Sequence, residues 1–211
     1  RLGNRLGQSR VLHQALSRLK EQPAEPLTPT RERILNAELL SMQQRGVGLD
    51  SDIQAAFNAA SERLAALSTS FGNHVLDATQ QWTLKLTEAD QVRGLPDRAK
   101  DALAAAAREA GDETATGSEG PWLLGLDMPR YLPFLTHAED RGLRETVYRA
   151  HVSRASQGEF DNAPLIEEIL TLRGEQARRL GYEHWADVSL ASKMADDVSS
   201  VEALLEELRS A

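Results

Sequence analysis

Five histidines, at His13, His74, His137, His151 and His184, are the side chains of this chain best suited to acid–base or metal chemistry, and their spacing decides what they can do. No two lie four apart on a helix, so the HExxH arrangement that presents two imidazoles and a general base from one helix face is absent. His74 with Asp77, His137 with Asp140 and His184 with Asp187 each stand three apart, which places both members on one face of a helix. A histidine and a carboxylate so placed can act as an acid–base or ligand pair. The same spacing also arises in any charged surface helix, and His74 lies beside an apolar stripe, where a half-buried histidine is the plainer reading. The paired acids offer less. Asp196-Asp197 is followed by Val198, Ser199 and Ser200, without the repeated acids that hold magnesium, while Glu167-Glu168 and Glu206-Glu207 read as solvated charge on outward helix faces. Gly46-Val47-Gly48 lacks a third glycine and follows a helix, so it is no phosphate loop, and no Gly-x-Ser-x-Gly elbow occurs. Trp82, Trp122 and Trp185 read as core anchors. No residue of the chain is assigned a catalytic, cofactor-binding or metal-binding role.

Composition narrows the classes further. The 211 residues, enough for one large domain or two small ones, include 24 basic and 32 acidic side chains for a net charge of -8. That balance argues against a nucleic-acid partner, because phosphate binding rests on clustered Lys and Arg. With no cysteine, the chain has no disulfide, thiolate zinc site, iron–sulfur cluster or cysteine nucleophile, which fits a reducing compartment. The longest apolar run, Ala102 to Ala107, is too short for a transmembrane helix, so no membrane partner is expected. Charge is uneven: residues 1–45 carry eight basic and four acidic groups. Within them Arg1, Arg5, Arg10, Arg18 and Lys20 alternate with leucines. The stretch has the composition of an organellar targeting helix, and we read it as a surface helix with a basic outer face.

Helical periodicity dominates the rest. After a proline-bearing loop from Glu21 to Pro29, a helix is predicted over Thr30–Arg45 with Ile34, Leu35, Leu39 and Met42 on one side, closed at Gly46. Ile53, Phe57, Ala60, Leu64, Leu67, Phe71, His74 or Val75, and Ala78 form a seam seven turns long, the clearest element of the chain. Trp82–Thr87 and Trp122–Leu126 read as two short strands that pair. Between them, Thr87 caps a brief helix, Pro96 opens an alanine-rich helix to Ala110, and Gly111–Gly120 is expected to be an exposed, unanchored loop. A turn or two of helix at Pro129–Ala138, then helices at Arg141–Ser156, Asn162–Leu180 and Glu183–Ser192, complete the pattern. A last helix begins at Ser199 with an N-cap, carries Val201, Leu204, Leu205 and Leu208, and runs to Ala211. The fold class is mainly α with a minor β-hairpin. The opening on Arg1 and the short final helix lead us to expect a piece of a longer protein.

The order of segments resembles a known family. Asn73-His74-Val75-Leu76-Asp77-Ala78-Thr79 followed by Trp82, and Trp122-Leu123-Leu124-Gly125-Leu126-Asp127-Met128-Pro129-Arg130-Tyr131-Leu132-Pro133, are similar to signatures of the oligopeptidase A and thimet oligopeptidase family of zinc metallopeptidases. Leu143-Arg144-Glu145, Tyr148-Arg149-Ala150, Arg154-Ala155, Asp161-Asn162, Ile166–Leu170, Leu172-Arg173, Leu180-Gly181-Tyr182, Ser189–Ala191 and Lys193–Ala195 follow in the family's order. The resemblance covers about residues 30–211. It implies a cytoplasmic, largely helical peptidase of short peptides with zinc at the base of a deep channel. The metal would be held by an HExxH helix and a further Glu, with the motif's own Glu as general base on zinc-bound water. No position here matches those residues. The resemblance therefore implies that residues 1–211 are a fragment of the N-terminal helical half, one wall of the channel, binding no zinc and inactive alone, with oligopeptides as the parent protein's substrates.

Two readings follow. In the first, the chain is a non-catalytic piece of a zinc oligopeptidase. In the second, it is a stand-alone helical scaffold or interaction module that docks a partner on the Ile53–Ala78 seam. The ordered signatures favour the first. On that reading, apolar surface meant for the rest of the enzyme is left open, and the fragment is expected to self-associate through Asn162–Leu180 or Ser199–Ala211.

Overall fold

A computed structural model describes residues 6–210, so Arg1, Leu2 and Arg5 of the basic segment, and Ala211, lie outside the described residues. The described chain is mainly α with one two-stranded antiparallel sheet. It divides into two compact units, one made of Arg1–Ala66 with Glu167–Ala211, the other of Leu67–Ile166.

The first unit opens with helix α1 (Arg10–Glu21), capped by the Ser9 hydroxyl, which accepts from the Leu12 N–H. None of its side chains is buried, which agrees with a surface helix. Helix α2 (Pro29–Gln44) has Thr28 as its cap and Pro29 in its first turn, where the missing N–H costs nothing. Leu35, Leu39 and Met42 are buried, but Ile34 is exposed: it sits one residue, and therefore 100°, off the i, i+4, i+7 stripe that the core selects. Gly46 closes the helix with φ +79°, a conformation that glycine adopts without the Cβ penalty.

The seam is a single helix, α3 (Ser51–Gln81). Phe57, Ala60 and Leu67 are buried along it, whereas Ile53 and Phe71 at its outer turns are open to solvent.

The second unit is built on the strand pair. Strands β1 (Thr83–Leu86) and β2 (Trp122–Gly125) align Leu84 with Leu124 and Leu86 with Trp122. The brief helix expected between them is a 3-10 turn at Ala89–Val92. It is capped by the carboxamide of Gln91, which collects the N–H groups of Thr87 and Glu88, rather than by the Thr87 hydroxyl. Helix α4 (Asp97–Glu109) packs Leu103, Ala104 and Ala107 onto β2; the alanines let helix and strand approach closely. Gly94 turns the chain at φ +85° just below the carbonyl of His137, where any Cβ would collide.

The loop at residues 111–120 departs from expectation. It is anchored. Ala115 is buried and its carbonyl accepts from Arg108, Thr116 and Gly120 form a bridge, the Trp122 indole donates to the Gly117 carbonyl, and Lys85 pairs with Asp112. A reading that counts only large apolar side chains misses an anchor made of one alanine and main-chain groups.

Helix α5 (Met128–His137) is longer than the turn or two expected, and α6 (Arg141–Val152) is shorter, because the chain leaves the helix and reaches a left-handed Ala155 at φ 51°. Beyond a short 3-10 turn at Gly158–Phe160, helix α7 (Ala163–Arg179) returns the chain to the first unit. Short α8 (Trp185–Leu190) and α9 (Val198–Ser210) follow, the latter capped by Asp197, whose carboxylate accepts from Ser200.

Phe134 lies fully inside the core of the second unit, while Leu132, two residues before it on α5, is 53% exposed. Phe134→Ala is expected to destabilise the fold by about 3–5 kcal/mol, and Leu132→Ala by less than about 0.5 kcal/mol, in denaturant unfolding followed by circular dichroism.

Candidate functional site

Several residues of the ordered signatures meet in the second unit. Asn162, almost fully buried, stands where the chain enters α7. Its backbone N–H donates to the Ala155 carbonyl at 2.9 Å and its Nδ2 donates to the Phe71 carbonyl of α3 at 3.2 Å. That leaves Oδ1 facing His74 Nδ1 at 2.9 Å. An amide oxygen can only accept, so Nδ1 of His74 carries a proton. One helical turn and a half further along α3, Thr79 accepts from Arg154 at 3.3 Å and donates to the Val75 carbonyl at 2.6 Å.

Arg154 also borders a stacked pair. The His151 imidazole lies on the Tyr131 ring with centroids 3.8 Å apart and planes inclined by 12°. Burial, followed by the positive charge of Arg154, holds His151 below the ordinary histidine range. Burial, followed by neighbouring Tyr148, pushes the Tyr131 phenol up. At neutral pH the cluster is therefore an uncharged imidazole on an uncharged phenol, with one guanidinium beside them. His151 Nε2 and Arg154 Nε are buried and have no hydrogen-bond partner among the described residues.

The three histidine–aspartate spacings do not become acid–base pairs. The side-chain partner of His74 is the Asn162 carboxamide rather than Asp77. Asp140 caps α6 by accepting from the Leu143 N–H, and Asp187 accepts from the backbone N–H of His184. The other acids are similarly occupied: Glu168 receives both arms of Arg63 at 2.6 Å, which holds its carboxyl below the usual range, and Asp197 is held low by the N–H and hydroxyl of Ser200. Of the tryptophans, Trp122 is a buried anchor and Trp185 lies under the Arg173 guanidinium at 5.7 Å. Among the described residues, no three of His, Asp and Glu come together as a metal ion would require. The cluster is a positioning device. It fixes the end of α3 to the connection between α6 and α7.

Sequence reasoning did not find the His151–Tyr131 stack or the role of Arg154. Arg154 stands 75 residues from Thr79, and no local period links them.

Comparison with known proteins decides the family. A model of peptidase family M3 matches residues 134–211, from within α5 to the end of the chain. Over 208 residues the chain is 44% identical to a probable cytosolic oligopeptidase A of Arabidopsis thaliana, covering 98% of this chain and 30% of that protein. The chain belongs to peptidase family M3. An organellar oligopeptidase A of the same plant is 43% identical to this M3 chain across 98% of it and 26% of the relative. Oligopeptidase A of Salmonella typhimurium is 37% identical across 96% of it and 30% of the relative. The M3 chain thus spans about 30% of the length of these relatives.

The depressed His151 gives this M3 chain a pH signature. The unfolded chain takes up a proton at about pH 6.5, before the folded one does. Stability is therefore expected to fall as pH drops below about 6.5 and to level off below the folded-state value. His151→Phe keeps the stack and removes the titration. Thermal unfolding between pH 7.5 and 5.5 should show a flatter profile for the variant, and an equally steep one would refute the assignment.

Proposed function

We propose that this chain is part of a zinc-dependent metallo-oligopeptidase that hydrolyses short peptides in the cytoplasm, and that it forms one wall of the substrate channel. The observation that carries this reading is identity of 44% across nearly the whole chain to a protein named as an oligopeptidase A. A wall of packed helices fits a channel that admits oligopeptides and excludes folded proteins. The residues of this chain do not fit the metal: the sequence has no HExxH, and the described residues hold no convergent set of ligands. The reading accordingly puts zinc and the catalytic groups on the remainder of the protein, and leaves this segment inactive by itself. Burial of Phe57, Ala60 and Leu67 weighs against the alternative, a scaffold that docks a partner along the seam.

The test uses the intact protein that carries this sequence. It is expected to cleave unstructured oligopeptides, to lose that activity on treatment with a chelator and to regain it with zinc, while leaving folded proteins uncut. Full activity after chelation, or cleavage by residues 1–211 alone, would overturn the reading.

Leu204, Leu205 and Leu208 of α9 and Leu170 of α7 are exposed, which supports self-association of the separated chain. Sedimentation of residues 1–211 should show concentration-dependent dimers; a strictly monomeric profile at high concentration counts against it.

A further inference from the structure

In the second unit, the connection from α6 to α7 holds a cation and a strained residue side by side. Arg154 donates through Nη1 to the Thr79 hydroxyl of α3 at 3.3 Å, and its Nε is buried without a partner. No carboxylate pairs with it among the described residues. Ala155, next in the chain, is held at φ 51°, a left-handed conformation that is costly for a residue with a Cβ and persists only where its surroundings impose it. His151 stands at the end of α6, three residues before Arg154. Its ring is stacked on Tyr131 of α5, and its Nε2 is buried with no hydrogen-bond partner among the described residues. Of the charged and titratable groups on the elements that meet here, Tyr131 and Arg154 act on the imidazole, and Tyr148 of α6 acts on Tyr131. The others are engaged elsewhere: Glu145 pairs with Arg149 on α6, His74 of α3 faces Asn162, and Glu159 receives Gln81 of α3 at 3.4 Å.

We propose that His151, Arg154 and Thr79 form a proton-operated latch. With the imidazole neutral, Arg154 stays on Thr79 and holds the end of α3 to the α6–α7 connection; protonation of His151 releases it. The inference stands independently of the peptidase reading. An imidazolium carries an N–H at both ring nitrogens, and the one at Nε2 finds no acceptor in the closed form. It also sets a second cation beside a guanidinium that has no carboxylate to offset it. The dipole at the end of α6 favours a cation, but burial and then Arg154 outweigh it and hold His151 below the ordinary range. Opening lets both cations reach water and frees Ala155 from its left-handed conformation. Little core is lost, because residues 153–161 are turns and one 3-10 turn, and Tyr148 and Val152 beside them are more than half exposed. The sign follows from the depressed histidine. The latch is closed at neutral pH, loosens as pH falls below about 6.5, and changes no further below the value of the closed form.

The experiment is amide hydrogen exchange read by mass spectrometry on the intact protein between pH 7.5 and 5.0, with rates corrected for the chemical pH dependence of exchange. Peptides covering residues 76–84 and 153–162 are expected to lose protection as pH falls through the histidine range. The loss is up to about tenfold per pH unit, the limit for one linked proton. It should be insensitive to low urea, because a local opening exposes little surface. Exchange at the imidazole C2 carbon of His151, followed on the same protein, should place proton uptake in the same interval. His151→Phe is expected to keep both segments protected across the range. Arg154→Met, which removes the link to Thr79, should leave residues 76–84 less protected already at pH 7.5. Unchanged protection in the wild type overturns the inference, as does an equal pH response in His151→Phe or full protection in Arg154→Met. A loss that grows steeply with urea means that the whole unit unfolds, and overturns it too. If neither variant folds, the wild type decides: proton uptake by His151 outside the interval in which residues 76–84 open overturns the latch equally.

Discussion

Strand β2 loses nearly all contact with solvent, and most of the second unit follows from that constraint. Trp122, Leu124 and Leu126 are buried and Leu123 packs against the same core. A strand with apolar side chains on both faces needs a cover on each, and it needs a partner for its main chain. Strand β1 supplies the partner and adds Leu86 to the core. The alanine face of α4 supplies a close cover, and Tyr131 and Phe134 of α5, together with Val147 of α6, complete the cluster. Even the indole N–H of Trp122, which burial would otherwise strand, is satisfied by the Gly117 carbonyl, and this ties down the polar loop above it.

Helix α3 plays the matching role for polar groups. Asn162 and Gln176 are the buried polar side chains of the described residues, and each sends its NH₂ group to a main-chain carbonyl of α3, at Phe71 and Phe57 respectively. Those carbonyls already serve the helix, and a carbonyl oxygen has a second lone pair to offer. A buried carboxamide that must satisfy its donors is thereby tied to one register along the helix. The Asn162 contact leaves its oxygen facing His74 Nδ1.

Among the described residues of this M3 chain, no three of His, Asp and Glu converge. In a peptidase the reacting groups occupy few positions, and the greater part of the chain positions, encloses and excludes. The neutral His151–Tyr131 stack and the carboxamide-bound His74 are histidines used for packing and registration. Burial, followed by the charge of Arg154, lowers the basicity of His151.

The sequence by itself determined the helices, the strand pair and the family. Each of these rests on information that lies along the chain: a 3.6-residue period in α3, alternation with β-branched residues in β1, and signatures in a fixed order. It also carried the glycine at 46, which acts within a turn of itself. Only the tertiary structure decided which side of a stripe is buried, so that Leu35 lies inside and Ile34 outside. It alone anchored the loop at 111–120 on Ala115, and it alone set Asn162 against His74, 88 residues away, and Gln176 against Ser61, 115 residues away. Those contacts depend on how separate helices pack. Packing is a property of whole faces meeting in space, and no local spacing encodes it.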